Sequence, residues 1–168
     1  MQWRNLFIGL VALFSMQLAH AASSLTIPIF LVDANGPTKA IGTVKAEDGI
    51  SGVLFTPDLH SLPPGVHGFH IHQNPSCDKG AMAAGGHLDP VQTEKHQGPF
   101  QANGHLGDLP VLIVNSEGRS TLPLLAPRFK LSDLPGHALV IHAGSDNYAD
   151  TPEKLGGGGA RIACGIIQ

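Results

Sequence analysis

His70 and His72 stand two residues apart in the run GFHIH, so on an extended strand both imidazoles leave the same face and can meet one metal ion. Two surface histidines would give the same pattern. His87, His96 and His105 then follow at intervals of nine, with Asp108 three residues further on. Between them Gly85-Gly86, Asp89-Pro90, Gly98-Pro99 and Gly104 are turn formers able to fold those side chains inward. Three imidazoles and one carboxylate are a donor set for a closed tetrahedral zinc site. His142, at the end of the apolar residues 138–141, adds a further imidazole. An imidazole-rich site with an open position suits copper, whose divalent ion also binds most tightly in the Irving–Williams order. Ten histidines, against seven Phe, one Tyr and one Trp, make metal chemistry the first functional clue in the composition.

These side chains need elements to hold them. Residues 25–32, 41–46, 50–56, 68–72, 109–114, 120–125, 138–142 and 160–167 are short runs rich in β-branched or apolar residues. Turn signals such as Asn35-Gly36-Pro37 and Asp48-Gly49 separate them. No amphipathic helix and no repeat stands out. The pattern predicts an all-β fold of about eight antiparallel strands, a Greek-key β-sandwich or flattened barrel. Residues 73–108 break the pattern for too long to be an ordinary connection. They carry three histidines, Asp108 and Cys77, so a metal and a disulfide are physical means of ordering this loop. A second loop, the four glycines of residues 156–159, precedes the last strand.

A chain of 168 residues fits one domain. Its 21 Gly and 13 Pro favour frequent turns over long helices. Charged residues make up 14% with no basic cluster, which excludes a nucleic-acid partner. Residues 1–21 carry Arg4, an apolar run over 6–14 and Ala19-His20-Ala21, the pattern of a secretory signal peptide. The apolar run falls short of the roughly 20 residues that span a bilayer. Cleavage would leave a domain over residues 22–168, periplasmic or otherwise exported, with no membrane attachment. Cys77 and Cys164 then permit one intrachain disulfide, or stay as two buried thiols; neither has a CxxC neighbour.

Five segments, GVHGFHIHQNPSC (65–77), GGHLDP (85–90), NGHLGDLP (103–110), VIHAGSDNY (140–148) and GGGGARIACG (156–165), together resemble copper,zinc superoxide dismutases of the bacterial exported type. That family has a two-sheet sandwich fold. The resemblance implies that His70, His72, His87 and His142 bind copper, and that His87, His96, His105 and Asp108 bind zinc. His87 would be shared, its ring bridging the metals as an imidazolate and passing a proton during turnover. Arg161, three residues before Cys164, would attract and orient the anion beside copper. Asp146 would orient one ring of each metal set without being a ligand. Cys77 and Cys164 would form the disulfide tying the long loop to the last strand, and His67 would be a structural hydrogen-bonding residue. The implied reaction turns two superoxide anions and two protons into dioxygen and hydrogen peroxide, using one copper and one zinc per chain. Monomer and homodimer both stay open. His60, His137, Lys79, Lys95 and Lys154 are read as solvated and outside the site. A metal buffer would need neither Arg161 nor a ligand shared between two metals.

Overall fold

The computed structural model describes residues 23–168; the predicted signal peptide over residues 1–21 lies outside them. Alternation makes the strands. In β3 (Gly52–Leu59) Val53, Phe55, Pro57 and Leu59 point inward and their neighbours outward, the period of two of a half-buried strand. β1 (Ser24–Asp33), β2 (Gly36–Gly49) and β3 run as a continuous antiparallel meander. β4 (Gly65–His67) pairs with β6 (Leu112–Val114) in a small two-stranded sheet. β5 (Phe69–His72), β7 (Leu124–Ala126), β8 (Ala138–His142) and β9 (Arg161–Ile166) join the meander in one curled antiparallel sheet of order β5-β8-β9-β1-β2-β3-β7. The pairings of β9 with β1 and of β3 with β7 are long crossovers, and the fold is the Greek-key barrel expected. The described residues hold no α-helix, only 3-10 turns at Met82–Ala84, Leu131–Asp133 and Lys154–Gly157.

Among the described residues nine strands form where the sequence suggests about eight, because backbone hydrogen bonds are diverted locally. The additional strand is β4, which no expected run covers; the expected strand over 68–72 starts at Phe69 instead, since Gly68 N–H donates to Gly144 O and its carbonyl accepts from His142 N–H. Residues 109–111 do not extend β6: Pro110 has no N–H, and that of Val111 donates to the Tyr148 hydroxyl. The expected strand over 120–125 shrinks to β7, with Ser120 making a single bridge to Leu59.

The core is aliphatic with an edge-to-face contact between Phe55 and Phe69, ring centroids 6.1 Å apart. Each such side chain contributes about 1.5–3 kcal/mol on burial. β5 and β8 are buried on both faces. Phe69, Ile71, Leu139 and Ile141 face this core. The opposite face carries His70, His72, Ala138, Val140 and His142, and residues 73–108 fold over it, adding Cys77, Ala81 and Ala84 to a second apolar cluster with Val140 and Cys164. Alternation therefore sends core residues one way and imidazoles the other.

Two features hold the loop on that face. Ile71 donates to Gly107 O and accepts from Leu88 N–H, both near 2.9 Å, so two segments of the loop pair onto the free edge of β5. A Cβ at Gly107 would meet Ile71 O, so only glycine permits this approach. Further along, Cys77 and Cys164 form a disulfide with Cα atoms 5.7 Å apart and a sequence separation of 87. Closing a loop of that length restricts the unfolded chain by an amount worth about 4–5 kcal/mol in the chain-entropy account.

Candidate metal centre

One donor atom each from His70, His72, His87 and His142 lies within 4.8 Å of the others, and the same holds for His87, His96, His105 and Asp108. His87 belongs to both sets, and all seven side chains are buried. β5 supplies His70 and His72. His142 ends β8 beside a bulge between Ile141 and His142, which brings it opposite Arg161 on β9. His87, His96, His105 and Asp108 come from the long loop. The isolated bridges His72 to His87 and His70 to Asp108 fix the stretch from His87 to Asp108 against β5 at both its ends.

The hydrogen bonds around the rings decide which nitrogen faces inward. His70 donates from Nε2 to Asp146 Oδ2 at 2.7 Å. His72 donates from Nδ1 to Gly85 O at 3.0 Å, and His142 from Nδ1 to Gly159 O at 3.3 Å. His96 donates from Nε2 to Asp146 Oδ1 at 2.7 Å. Each outer acceptor holds a proton, so a lone pair points into the cluster at His70 Nδ1, His72 Nε2 and His142 Nε2, and Nδ1 is the inward nitrogen of His96. His70 Nδ1 and His87 Nε2 are buried with no hydrogen-bond partner. Asp108 presents Oδ1 at 2.9–3.4 Å from Nδ1 of His87, His96 and His105, while its Oδ2 accepts from the N–H groups of Gln97 and Gly98. Buried lone pairs left without a partner carry a desolvation cost that a bound cation removes. The first set offers four inward nitrogens and suits copper; the second offers three nitrogens and a carboxylate oxygen and suits zinc.

Asp146 is the hinge between the sets, joining His70 and His96 through its two oxygens. Gly156, at φ +74°, lies so close that a Cβ there would collide with the Asp146 carboxylate. The Tyr148 N–H also donates to Asp146 Oδ1, at 2.7 Å.

The electrostatics follow from burial and these contacts. Burial, then the neighbouring His87, pulls His70 down to about 3 and His142 down to about 4. Burial opposes charge on His96 too, but hydrogen bonds to Asp108 and Asp146 raise it to about 9. Asp108 and Asp146 are held well below the usual carboxylate range: burial raises each, and hydrogen bonds from the rings outweigh it. In the metal-free chain, unfolding lets His70 and His142 take up protons that the folded state refuses, so stability falls as pH drops below about 6.5. His96 acts oppositely: its contribution is full below about 6.5 and disappears as pH rises through about 9. Urea midpoints of the metal-free protein are therefore expected to peak near pH 6.5 and decline on both sides. A midpoint that climbs steadily from pH 6.5 to 9 contradicts this assignment of His96.

A cavity of about 260 Å³ opens beside the first set, lined by Met82, His87, His142, Lys154, Leu155, Gly158, Gly159 and Arg161. Arg161 is half-buried and donates from Nη1 to Ala81 O at 2.5 Å and from Nη2 to Gly85 O at 2.6 Å. Its hydrogen bonds go to carbonyls rather than to a carboxylate, so its charge faces the cavity uncompensated. His67 is buried with Nδ1 2.8 Å from His142 O and Nε2 2.8 Å from Pro63 O, bracing the strand end behind His142. His60 is exposed beside Ser61, and His137 donates to Gln73 O, both away from the clusters.

Sequence reasoning left Lys154 outside the site, and the structure places it on the cavity wall. It also passed over Met82, Tyr148 and Arg128. Arg128 donates to four carbonyls of the long loop. Its position just after an apolar run resembles any strand-end cation, so nothing local marks it out.

The profile described as Copper/zinc superoxide dismutase (SODC) matches residues 40–167. A Cu-Zn superoxide dismutase 1 of Salmonella typhimurium (strain 4/74) is 52% identical over 159 residues, covering 89% of this chain and 90% of that protein. A Cu-Zn superoxide dismutase of Legionella pneumophila is 50% identical over 164 residues, covering 97% of this chain and 96% of its own. Among solved structures, the Cu/Zn superoxide dismutase from Brucella abortus superposes with a TM-score of 0.83 at 44% identity, covering 87% of this chain and 100% of that one.

Proposed function

Because this chain belongs to the copper/zinc superoxide dismutase family, we propose that His70, His72, His87 and His142 are its copper ligands and that His87, His96, His105 and Asp108 are its zinc ligands. The protein is a superoxide dismutase whose cofactors are copper and zinc. When bound, copper supplies one-electron oxidation and reduction of superoxide, and zinc supplies structural and electrostatic support. The observation that carries the ligand assignment is the convergence of the inward ring nitrogens in two buried sets, with Asp146 holding the outer proton of one ring in each set.

The side chains divide the remaining work. Arg161 attracts and orients the superoxide anion in the cavity, its guanidinium fixed by Ala81 O and Gly85 O. Gly85 O also accepts from His72 Nδ1–H, so one carbonyl sets both the anion-binding group and a ligand tautomer. His87 lines the same cavity, and its Nε2 is the atom at which a proton is held and passed to the substrate. Lys154 adds a second positive charge at the mouth, useful in a chain whose net charge is −3.

Export is part of this reading: residues 1–21 have signal-peptide composition, the mature part carries one disulfide, and the relatives are bacterial. For assembly, a relative from Salmonella enterica is described as monomeric, while Val66 and Ile113, paired and exposed on the small sheet, offer an apolar patch to a second copy; light scattering separates the two. The central experiment is elemental analysis and stopped-flow superoxide decay on one purified sample. One copper and one zinc per chain with rapid decay is expected. Full metal content with no decay would overturn the roles given to Arg161 and His87.

A further inference from the structure

Arg128 lies in the turn after β7, outside every motif noted in the sequence, and all of its hydrogen bonds reach across to the long loop. Nε donates to Pro99 O at 3.0 Å, Nη1 to Gly104 O at 3.1 Å, and Nη2 to Gly98 O at 3.4 Å and to His105 O. All four acceptors lie between His96 and Asp108, and one belongs to His105 itself. The mount is rigid. Ala126 pairs with Val53 in the main sheet, Phe129 N–H closes the turn on Ala126 O, and the Phe129 side chain is in the core. The target forms neither strand nor helix between Gln97 and Gly104: apart from Arg128 it is held by turn contacts such as Gly104 N–H to Gln101 O and by the Gln97 and Gly98 N–H groups on Asp108 Oδ2.

We propose that Arg128 is a positioning residue for the zinc cluster. Its planar guanidinium ties the segment carrying His96, His105 and Asp108 to the edge strand of the barrel and sets their spacing. The geometry suits arginine alone. Donors in a fixed plane reach carbonyls on both sides of the residue 100–103 turn, whereas a lysine ammonium is a single point on a flexible stem. Because a carbonyl accepts without neutralising, the guanidinium keeps its charge near Asp108 while the loop backbone is satisfied. This inference rests on the reading of His87, His96, His105 and Asp108 as the zinc site.

The test uses protein loaded with copper and zinc, as wild type, Arg128→Ala and Arg128→Lys. Zinc release to a chromophoric chelator is timed, copper content is measured alongside, and cobalt(II) is substituted for zinc to record its visible spectrum. Arg128→Ala is expected to release zinc about tenfold faster or more, the scale seen when outer-sphere support of a metal ligand is removed. Its cobalt bands should shift and weaken with copper content unchanged, and Arg128→Lys should fall between. If the alanine variant does not fold, the lysine variant decides alone. Wild-type release rates with an unaltered cobalt spectrum overturn the proposal, as does loss of copper and zinc in equal proportion. A wild-type protein that takes up neither zinc nor cobalt overturns the zinc-site reading instead.

Discussion

Arg161→Ala is expected to lower kcat/KM for superoxide by about 10- to 100-fold while copper and zinc both stay bound, on the scale at which a focused charge raises encounter rates. The guanidinium, fixed by Ala81 O and Gly85 O, is a cation on the cavity wall that also holds His87 and His142. The chain as a whole carries −3, so its distant field repels an anion. Local attraction therefore has to come from this wall and from the metals. Charges at the cavity mouth are screened by salt, since the Debye length is about 8 Å at physiological ionic strength. Wild-type decay rates should fall as salt is added, and the Arg161→Ala dependence should be flatter. Arg161→Lys should recover part of the rate, because it restores charge without the fork that Ala81 O and Gly85 O hold. Lys154→Ala, on the same wall, should give a smaller loss. Stopped-flow decay over a salt series checks all four proteins. An alanine variant as fast and as salt-sensitive as wild type would remove Arg161 from the mechanism.

Asp146→Leu is expected to weaken metal binding at both clusters, by about 10- to 100-fold, with the larger loss at the zinc set. The carboxylate accepts from His70 Nε2 and His96 Nε2 at 2.7 Å each, and leucine fills similar space with no acceptor. Each ring then loses the bond that keeps its proton outside, and part of the population turns a protonated nitrogen inward, where a cation cannot bind. The two rings do not suffer equally. His70 sits in β5, paired with β8 and bridged to Asp108, so its backbone stays in place. His96 lies in the irregular loop, anchored by its N–H to Asp150 Oδ2 and by Asp146. Competition with a chelator gives both affinities, and the imidazole N–H resonances of His70 and His96 report the tautomers directly. Unchanged affinities would show that packing alone orients these rings.

The positions of the clustered donor side chains were legible because their information is local. A two-residue spacing on a strand puts His70 and His72 on one face whatever the rest of the chain does, and glycine-rich turns between His87, His96 and His105 signal a loop folded on itself. The 73–108 gap in the strand pattern likewise marked the loop that covers the site. Legibility ended where hydrogen bonds are settled by distant partners. The break at Gly68 depends on Gly144, the stop before β6 depends on Tyr148, and neither partner is near in sequence. Lys154 resembled any solvated lysine until the 3-10 turn at Lys154–Gly157 brought it to the cavity wall.

The amino-acid sequence by itself determined which residues are able to ligate, the strand alternation that separates core from imidazoles, and the family. Only the tertiary structure decided which nitrogen of each ring faces inward, that Gly85 O serves both His72 and Arg161, and that Arg128 grips the loop. The reason is physical: donor type and strand period are properties of a residue and its neighbours, whereas a tautomer is set by whichever acceptor the fold brings to the ring's far side. For these rings that acceptor lies 13 to 76 residues away along the chain.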